Sequence, residues 1–459
     1  MKNRALISAV AFLFPAFAAA GPGVILIDAI NGNTDVEIQV ALDANPEGTT
    51  FVLKGIFNFS NPVFLEKSNI TIMGDYVDNN GNGKPDETDT WNTVIAGGSP
   101  FGFMLSNRDW TPSEISNVEI KNINFELRYA VSVFPDLEYS GCPTEIPVSA
   151  DHLSIENNFF ETSTVLILNR TNNVSIDNNL FIPVGRPRDG HAIWLKGYAV
   201  DFDCANPVIV SEGHGNSITN NTVTNGNILT LAHQTDLKVV GNTLTGSLDF
   251  FDFKIWTWDM DTFLVSNNFI QGDSFTNGVL LNSRVNDPNF PDGENRKVTI
   301  RNNDFVDMLY GIWANGGLHD AKIKHNDMFQ SGDFGPVGGS GLVMTDNSLP
   351  GHWGPQLGIS SKVLIANNHF SDFSETGIGL NGETTGVRIV NNSFSNPDAI
   401  TDVFFAPFDI YFGTGPTMCP AHGNTVIATD FETRVLDLYS DVCGAQPNRL
   451  LGTLSSKNH

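Results

Sequence analysis

The stretch LSIENNFF, Leu153–Phe160, decides the fold because its pattern returns along the chain. Apolar and polar residues alternate, two Asn follow, and an apolar residue ends the phrase. Close copies are VSIDNNLF (Val174–Phe181), NSITNNTV (Asn216–Val223), FLVSNNFI (Phe263–Ile270), VTIRNNDF (Val298–Phe305), VLIANNHF (Val363–Phe370) and VRIVNNSF (Val387–Phe394), and looser copies are Val118–Phe125, Leu237–Leu244 and Ala321–Met328. Such repetition indicates one structural unit per copy.

The spacing of the phrases predicts a solenoid. Five of the nine intervals between the first Asn of successive phrases span 21 to 26 residues, and the longer intervals fit the same unit with an insertion. The alternation has the period of a β-strand. Asn tolerates left-handed backbone angles, so the Asn pair is predicted to turn the chain and to stack in a hydrogen-bonded ladder. The sequence therefore predicts an all-β chain coiled into a parallel β-helix.

The phrases, which run from Val118 to Phe394, resemble the repeats of the pectate-lyase-like superfamily. The segment Val36–Gly74 resembles that superfamily's first helix, first coil and entry strands. The resemblance implies a right-handed parallel β-helix solenoid with a short N-terminal capping helix. It implies no single chemistry, because the superfamily includes lyases, hydrolases, epimerases, esterases, phage spikes and non-catalytic binders.

The chain is predicted to be one elongated domain behind a signal peptide. Residues 1–20 carry Lys2 and Arg4, an apolar run and a small-residue cleavage site. We expect an N-terminal cap and first coils over 21–117, β-helix repeats over 118–400, and the last coil with a C-terminal cap over 401–459. Two disulfides are predicted among Cys142, Cys204, Cys419 and Cys443, and three pairings are open. In the most local pairing, a Cys419–Cys443 disulfide would pin the C-terminal cap.

The net charge of −26 limits the partners. It argues against nucleic acid and against an anionic membrane surface. No later stretch is long and apolar enough for a membrane span. We expect a secreted or periplasmic monomer. An anionic polymer remains open as a ligand if the few basic residues cluster.

Each coil is predicted to carry a second strand, and long insertions follow that strand. The second strands are predicted at Phe103–Ser106, Ala130–Val133, Val165–Leu168, Ala192–Leu195, Ile228–Leu231, Phe253–Trp256, Val279–Asn282, Gly311–Ala314, Gly341–Met344 and Gly377–Leu380. The insertions are Asn107–Ser116, Phe134–Ala150, Gly197–Gly215, Val285–Glu294 and Thr345–Ser360. Insertions at one coil position emerge on one face of a solenoid, so this face is predicted to bind the ligand.

Residues just after the second strands are predicted to stack in a column beside these loops. In chain order they are Arg108, Arg170, Lys196, His233, Trp258, Arg284, Asn315, Asp346 and Asn381. Trp194, Trp256, Tyr310 and Trp313 lie close by in the sequence and could serve as platforms for sugar rings. The alternatives are that these aromatic residues stack in the core and that the basic residues are solvated or paired with Asp.

β-Elimination on a uronate polysaccharide is the predicted chemistry. It requires a cation at the C6 carboxylate, a base for the C5 proton and an acid for the leaving oxygen. Lys196 or His233 would be the base, and Arg170 and Arg284 would bind the carboxylate. Tyr198 or His191 would be the acid. Further substrate contacts are predicted from Arg108, Trp256, Trp258, Trp313 and Asn315.

Other activities stay open. A hydrolase needs two carboxyl groups about 5 to 9.5 Å apart, and Asp249, Asp252, Asp259 and Asp261 are candidates. An epimerase and a non-catalytic carbohydrate-binding or surface-structural protein are further alternatives. The Gly213–Gly215 stretch, GHG, resembles a polygalacturonase motif, but the accompanying motifs are missing and a turn is the preferred interpretation.

A calcium loop is predicted at 78–89. Oxygen ligands would come from the side chains of Asp78, Asn80, Asn82, Asp86 and Asp89 and from the carbonyl of Lys84, with Gly83 at the sharp turn. This is the spacing of an EF-hand-type loop. It departs from that pattern at Pro85, in the final Asp and in having no flanking helices. We expect a structural Ca²⁺ that stiffens the loop, with a plain Asn/Gly/Asp turn as the alternative.

Overall fold

A computed structural model gives the architecture. It describes residues 23–29, 34–109, 113–133, 148–161, 164–168, 171–182, 191–196, 213–231, 234–246, 253–273, 275–283, 294–329, 337–350, 355–373, 376–382, 384–395, 408–413, 421–427, 435–437 and 446–451. The predicted signal peptide and all four cysteines lie outside these ranges, so both remain predictions.

One helix covers the N-terminal end of the coils. Helix α1 spans Asp35–Ala44 and begins at Thr34 with a capping box. The Thr34 hydroxyl accepts from the N–H of Val36 at 3.2 Å, and the Glu37 carboxylate accepts from the N–H of Thr34 at 2.9 Å. These bonds satisfy donors that the first helical turn leaves open. The helix buries Ile38 and Leu42 against the first coils, which confirms the predicted capping helix.

The apolar part of each phrase forms one long parallel sheet, here called the phrase sheet. Numbered in chain order, its strands are β1 (Val24–Asp28), β2 (Thr50–Phe59), β4 (Ile70–Met73), β9 (Ser113–Lys121), β12 (Val148–Glu156), β16 (Ser175–Asp177), β20 (Ser217–Thr219), β24 (Lys238–Val240), β28 (Leu264–Ser266), β32 (Thr299–Arg301), β36 (Lys322–Lys324), β39 (Val343–Thr345), β42 (Leu364–Ala366), β45 (Arg388–Val390), β48 (Thr425–Ile427) and β50 (Arg449–Leu451).

A second parallel ladder follows the Asn turn. It begins with the second half of β2 and continues through β7 (Thr93–Gly97), β10 (Asn124–Phe125), β13 (Phe159–Phe160), β17 (Leu180–Phe181), β21 (Thr222–Thr224), β25 (Thr243–Thr245), β29 (Phe269–Gln271), β33 (Asp304–Val306), β37 (Asp327–Phe329), β40 (Ser348–Pro350), β43 (His369–Ser371) and β46 (Ser393–Ser395).

The third face is a separate nine-stranded parallel sheet. It contains β3 (Val63–Phe64), β8 (Phe101–Leu105), β11 (Tyr129–Val133), β14 (Thr164–Leu168), β18 (His191–Lys196), β22 (Asn227–Leu231), β26 (Phe253–Trp258), β30 (Asn277–Asn282) and β34 (Ile312–Asn315). Eight of the ten predicted second strands lie in this sheet.

Short strands at the corner lead back to the phrase sheet. They are β15 (Thr171–Asn172), β19 (Gly213–His214), β23 (Gln234–Thr235), β27 (Met260–Asp261), β31 (Asn295–Arg296), β35 (Gly317–His319), β38 (Val337–Ser340) and β41 (Gln356–Ser361). In the last coils, β44 (Thr376–Asn381) pairs with the start of β41, ahead of its corner residue Ser361, and the pairing continues through β47 (Phe408–Phe412) and β49 (Val435–Asp437). The predicted second strand Gly377–Leu380 lies in β44. An antiparallel hairpin, β5 (Tyr76–Val77) with β6 (Thr90–Trp91), projects from the first coils. The predicted parallel β-helix is confirmed.

The two Asn of a phrase have different tasks. The first adopts left-handed backbone angles, as at Asn302 with φ of 52°. The second is buried and bonds to the next coil: Nδ2 of Asn303 donates to Oδ1 of Asn326 at 2.9 Å. The predicted ladder is confirmed, and its described members are Asn158, Asn179, Asn221, Asn242, Asn268, Asn303, Asn326, Asn347, Asn368 and Asn392.

One predicted second strand is wrong. Gly341–Met344 overlaps β39, whose residues pair with Lys322–Lys324 of β36 and Leu364–Ala366 of β42 in the phrase sheet. Asp346 occupies the left-handed turn position, with φ of 58°, and Asn347 belongs to the ladder. The predicted insertion Thr345–Ser360 therefore contains an ordinary coil, in which Asp replaces the first Asn, and Asp346 lies at the opposite corner from the predicted column.

Candidate functional site

The outer face of the nine-stranded sheet carries an aromatic strip. The register aligns one position on the side away from the main core, and the residues at that position whose side chains the structure describes are Phe64, Met104, Ser132, Trp194, Trp256, Leu280 and Trp313. Side chains alternate across a strand, so the adjacent residues Ile193, Ile255 and Ile312 point into the main core and are fully buried. The three Trp are half-buried on the opposite face.

The three Trp recur on alternate strands. Trp194 lies on β18, Trp256 on β26 and Trp313 on β34. Because neighbouring strands lie ~4.8 Å apart, successive Trp are ~10 Å apart along the helix axis. The alternative that these residues stack in the main core does not hold, because none of them belongs to it.

A second set of rings lies three residues before the first set. His191 lies 5.4 Å from Trp194, Phe253 lies 6.2 Å from Trp256, and Tyr310 lies 4.7 Å from Trp313, as ring-centroid distances. Together with Phe101, Tyr129 and Trp258, the nine rings form the aromatic strip: Phe101, Tyr129, His191, Trp194, Phe253, Trp256, Trp258, Tyr310 and Trp313. Phe253 was missed as a site residue. The aromatic residue that recurs three residues before each Trp is the sequence feature that could have predicted it.

Polar groups accompany the rings at two points. Nδ1 of His191 lies 2.6 Å from Oδ1 of Asn227, which holds the imidazole beside Trp194. At the other end of the strip, Nδ2 of Asn315 donates to Oδ1 of Asn282 at 3.0 Å. Amides and imidazoles of this kind can hydrogen-bond to sugar hydroxyls while the rings contact apolar surface.

The structure brings three members of the predicted column to one register position. Lys196, Trp258 and Asn315 share one register position, through the pairings of Lys196 with Leu231, Trp258 with Asn282, and Asn282 with Asn315. Arg170, Tyr198, His233 and Arg284 lie outside the described residues, as does the Lys196 side chain. The four insertions other than Thr345–Ser360 begin just after strands of the nine-stranded sheet, at its β8, β11, β18 and β30.

Arg108 is engaged by acidic residues at the N-terminal end. Its guanidinium pairs with Asp43 of α1 and lies 3.3 Å from Glu66. The hydrogen bond that its guanidinium donates to Asp43 raises the pKa of Arg108. Partial burial lowers this pKa by less, so the net effect is a raised pKa. An arginine already neutralised by two carboxylates has little charge left for a uronate.

Neither described hydrolase candidate belongs to the aromatic strip, although Asp259 directly follows Trp258. Asp259 is buried at a left-handed turn with φ of 51°, and Asp261 lies in β27 of the corner ladder, 3.9 Å from the ammonium of Lys297. Asp249 and Asp252 lie outside the described residues. The GHG stretch forms β19 and a left-handed turn at Gly215, with φ of 66°. The structure thus agrees with the interpretation of GHG as a turn.

The predicted calcium loop closes the β5–β6 hairpin. Both carboxylate oxygens of Asp78 accept backbone N–H groups, from Gly81 and Gly83, at 2.7 Å each. Asn80 and Asn82 donate side-chain amide groups to the carboxylate of Asp86, whose pKa is lowered, mainly by the Thr88 hydroxyl. The loop is thus rich in oxygen atoms.

The last predicted ligand is partly committed to the protein. The Asp89 carboxylate accepts from the Tyr76 hydroxyl at 2.9 Å and from the N–H groups of Asn79 and Asp86 at 3.0 and 2.9 Å. Burial and this carboxylate raise the pKa of Tyr76. In the ranges given above, no three His, Cys, Asp or Glu residues converge closely enough to hold a metal ion. A calcium ion would therefore depend on Asn and carbonyl oxygens as well.

Known proteins resemble the chain in its coil architecture. Residues 254–415 match the family model described as "Right handed beta helix region". No curated protein matches. Within the part of the chain that the structure describes, no helix is both long and apolar enough to cross a membrane.

Several solved structures are similar at low identity. PfbA, a surface adhesin of Streptococcus pneumoniae, is 12% identical with a TM-score of 0.49, over 83% of this chain and 94% of the adhesin. The A-module of a mannuronan C-5 epimerase from Azotobacter vinelandii is 13% identical with a TM-score of 0.43, over 90% of this chain and 98% of the module. The catalytic unit of an α-1,3-glucanase from Streptomyces thermodiastaticus is 11% identical with a TM-score of 0.47, over 94% of this chain and 72% of the glucanase. We draw no functional conclusion from these likenesses.

The Asn phrases, the stacked parallel sheets and the family match agree on one architecture, including the handedness that the superfamily resemblance implied. The chain folds as a right-handed parallel β-helix.

Proposed function

We propose that this protein is exported and binds an extracellular polysaccharide along the aromatic strip. The observation that carries the proposal is the recurrence of Trp194, Trp256 and Trp313 on alternate strands, ~10 Å apart. That spacing is comparable to the length of two linked sugar rings. A glycan chain lying along the helix axis would therefore meet a Trp at every second ring.

The chemistry of the strip suits sugars. A half-buried Trp presents apolar surface, and it loses little conformational entropy on binding because neighbouring rings already fix it. The apolar C–H face of a sugar packs on such a ring. Its hydroxyl groups would reach the His191–Asn227 and Asn282–Asn315 pairs.

Binding should depend on the rings individually. We expect Trp256→Ala and Trp313→Ala to weaken polysaccharide affinity about tenfold each, because a buried aromatic contact is worth about 1 to 2 kcal/mol. The matched control is Phe269→Ala, which removes a ring that is 37% exposed on another sheet. Affinity would be measured by titration calorimetry against alginate, pectate, ulvan and glycosaminoglycans. Equal affinities of all three variants and the parent for every polymer would refute the proposal.

β-Elimination of a uronate polymer is the second candidate for the same face. It is favoured by the position of Lys196, which ends β18, two residues after Trp194 and on the central strand of the nine. A base at this point would take the C5 proton. The C4–O bond would then break, and its oxygen would take a proton from an acid, leaving an unsaturated uronate.

The lyase candidate has its own readout. Release of unsaturated uronate is followed by its ultraviolet absorbance, with calcium and with chelator. The candidate predicts a signal that disappears in Lys196→Ala or His233→Ala, and no signal on any uronate polymer would exclude it while leaving polysaccharide binding intact. A binder without catalysis, a hydrolase releasing reducing sugar, or an epimerase would then be the remaining alternatives.

A further inference from the structure

From β20 to β50, the outer face of the phrase sheet reverses the charge balance of the chain. The chain has 51 Asp and Glu against 25 Lys and Arg. On the ten strands from β20 to β50, the first and third residues are the outward positions of the alternation, and the middle residue is buried on every strand except β50. These twenty positions contain no acidic residue and six basic ones, which we call the basic face: Lys238, Arg301, Lys322, Lys324, Arg388 and Arg449.

The six cations are uncompensated. None of them makes an ion pair or a side-chain hydrogen bond with any group of the chain, within the residues that the structure describes. Other basic residues behave differently: Lys121 lies 2.6 Å from Glu119, and Arg296 lies 2.9 Å from Glu294. In a chain with twice as many acids as bases, six unpaired cations on one face require a reason outside the fold.

The centre of the basic face concentrates charge at a cost to the fold. Arg301 pairs in register with Lys324, so the two residues lie ~4.8 Å apart on neighbouring strands. Lys322 shares the strand of Lys324, two residues and ~7 Å away. Like charges at such distances repel. Nε of Arg301 is also buried without a hydrogen-bond partner. A bound anion would relieve both defects.

The shape of the basic face points to a linear polymer. Each strand offers only two outward positions, ~7 Å apart, while the face extends over nine strands from β24 to β50, or ~38 Å. The neutral positions between the cations are hydroxyl and aliphatic residues, among them the partly exposed Thr299, Thr345 and Thr425. No aromatic residue stands at the twenty positions, so the face offers no platform for stacking nucleobases.

We propose that the basic face is a second binding surface, for the sulfate or carboxylate groups of an anionic polysaccharide lying along the helix axis. It is distinct from the aromatic strip, which lies on another sheet of the same coils. Cations on strands one to three steps apart would contact successive acidic groups of one chain, and hydroxyls between them would bond to the sugars.

Neutral replacements can be copied from neighbouring coils. The triple variant Arg301→Ser, Lys322→Thr and Lys324→Thr places at these positions the residue types found at the same register in β28, β32 and β39. With about 1 kcal/mol per cation near an anionic surface, the triple variant should bind dextran sulfate about a hundredfold more weakly and the single variant Lys322→Thr about fivefold more weakly. The matched control is Lys54→Thr, which removes an exposed lysine from β2, distant in register, and should bind like the parent.

The experiment measures affinity for dextran sulfate, polygalacturonate and neutral dextran at two salt concentrations. The proposal requires salt-sensitive binding of both charged polymers and the stated order of variants, with binding retained in Trp256→Ala. Equal losses in Lys322→Thr and Lys54→Thr would show non-specific charge effects and overturn it, and so would tighter binding of duplex DNA than of either polymer. If the triple variant fails to fold, Arg388→Thr, which copies Thr425 of the next coil, supplies the same comparison.

Discussion

The ring of Phe253 lies 6.1 Å from the ring of Trp313 on the far side of the intervening strand β30, and 6.2 Å from the ring of Trp256 on its own strand. Phe253 therefore bridges Trp256 and Trp313, whose strands lie ~10 Å apart along the helix axis. The rings of the aromatic strip are therefore in continuous contact at its C-terminal end, where the buried Phe253 supports the half-buried Trp256 and Trp313.

The buried Asn ladder predicts a large loss of stability at a single position. In Asn303→Ala, Asn268 loses the acceptor of its backbone N–H and side-chain amide, at 3.1 and 2.9 Å, while Oδ1 of Asn326 and the carbonyl of Val265 lose a donor. We expect the free energy of unfolding to fall by about 3 kcal/mol, since buried polar groups are left unsatisfied. Denaturant titration measures the free energy of unfolding. If Asn303→Ala lowered it by less than the same substitution at an exposed Asn, the ladder's role would be contradicted.

The preceding residue supplies the matched comparison. Asn302 holds a left-handed backbone, with φ of 52°, and its side chain is exposed. Asn302→Ala should cost about 1 kcal/mol because alanine lacks the polar side chain that lets Asn tolerate the left-handed region, whereas Asn302→Gly should cost much less because glycine has no Cβ to crowd the backbone. The same titration separates the two. If Gly proved worse than Ala, conformational strain would not be the reason for Asn at this position.

Lys254 predicts a pH-dependent stability. It is fully buried, beside Gly278 in register, and its ammonium donates to the carbonyl of Thr245 at 2.7 Å. Burial lowers its pKa from 10.5 to about 8, and Asp273 opposes that shift. Between these values the unfolded chain binds a proton that the folded chain has released. The free energy of unfolding therefore rises with pH from about 8 to 10.5, by up to about 3 kcal/mol, and the full penalty is present below pH 8.

A methionine at position 254 would remove this penalty. Near neutral pH we expect Lys254→Met to stabilise the fold by about 2 kcal/mol, after allowance of about 1 kcal/mol for the lost hydrogen bond. The gain should shrink as the pH approaches 10.5 in parallel unfolding titrations. Lys322→Met, on the exposed surface, is the control and should show no such trend. A pH-independent gain would contradict the lowered pKa.

The oxygen-rich loop predicts calcium binding of the strength found in extracellular modules, with a Kd of about 10⁻⁴ to 10⁻³ M. Adding calcium at ten times that Kd should raise the free energy of unfolding by about 1.4 kcal/mol. Asp78→Asn should abolish the gain, because it removes a charged ligand while its amide oxygen can still accept N–H groups of the turn. Asp75→Asn, just outside the hairpin, is the control. An unchanged melting temperature with calcium would favour the plain turn.

The site could be predicted from sequence only in part. The phrase and its spacing located the strand that carries Trp194, Trp256 and Trp313, because alternation within the strand is a local property. The coil at Val343–Pro350 was missed because Asp346 replaces the first Asn, although Asn347 and a 21-residue spacing remained as signals. The column beside the loops was predicted only in part: Lys196, Trp258 and Asn315 share a register position, whereas Asp346 lies at another corner.

The path of a single coil follows from the local sequence. Each repeat contains alternating apolar residues, an Asn suited to a left-handed turn and an Asn suited to a buried ladder, and the repeat length is one that only a stacked parallel β-helix satisfies. The register between coils was decided by the tertiary structure, since hydrogen bonds between strands set which residues become neighbours across intervals of 21 to 42 residues. For this reason the continuity of the aromatic strip through Phe253, and the gathering of Arg301, Lys322 and Lys324 on one face, emerged only from the folded chain.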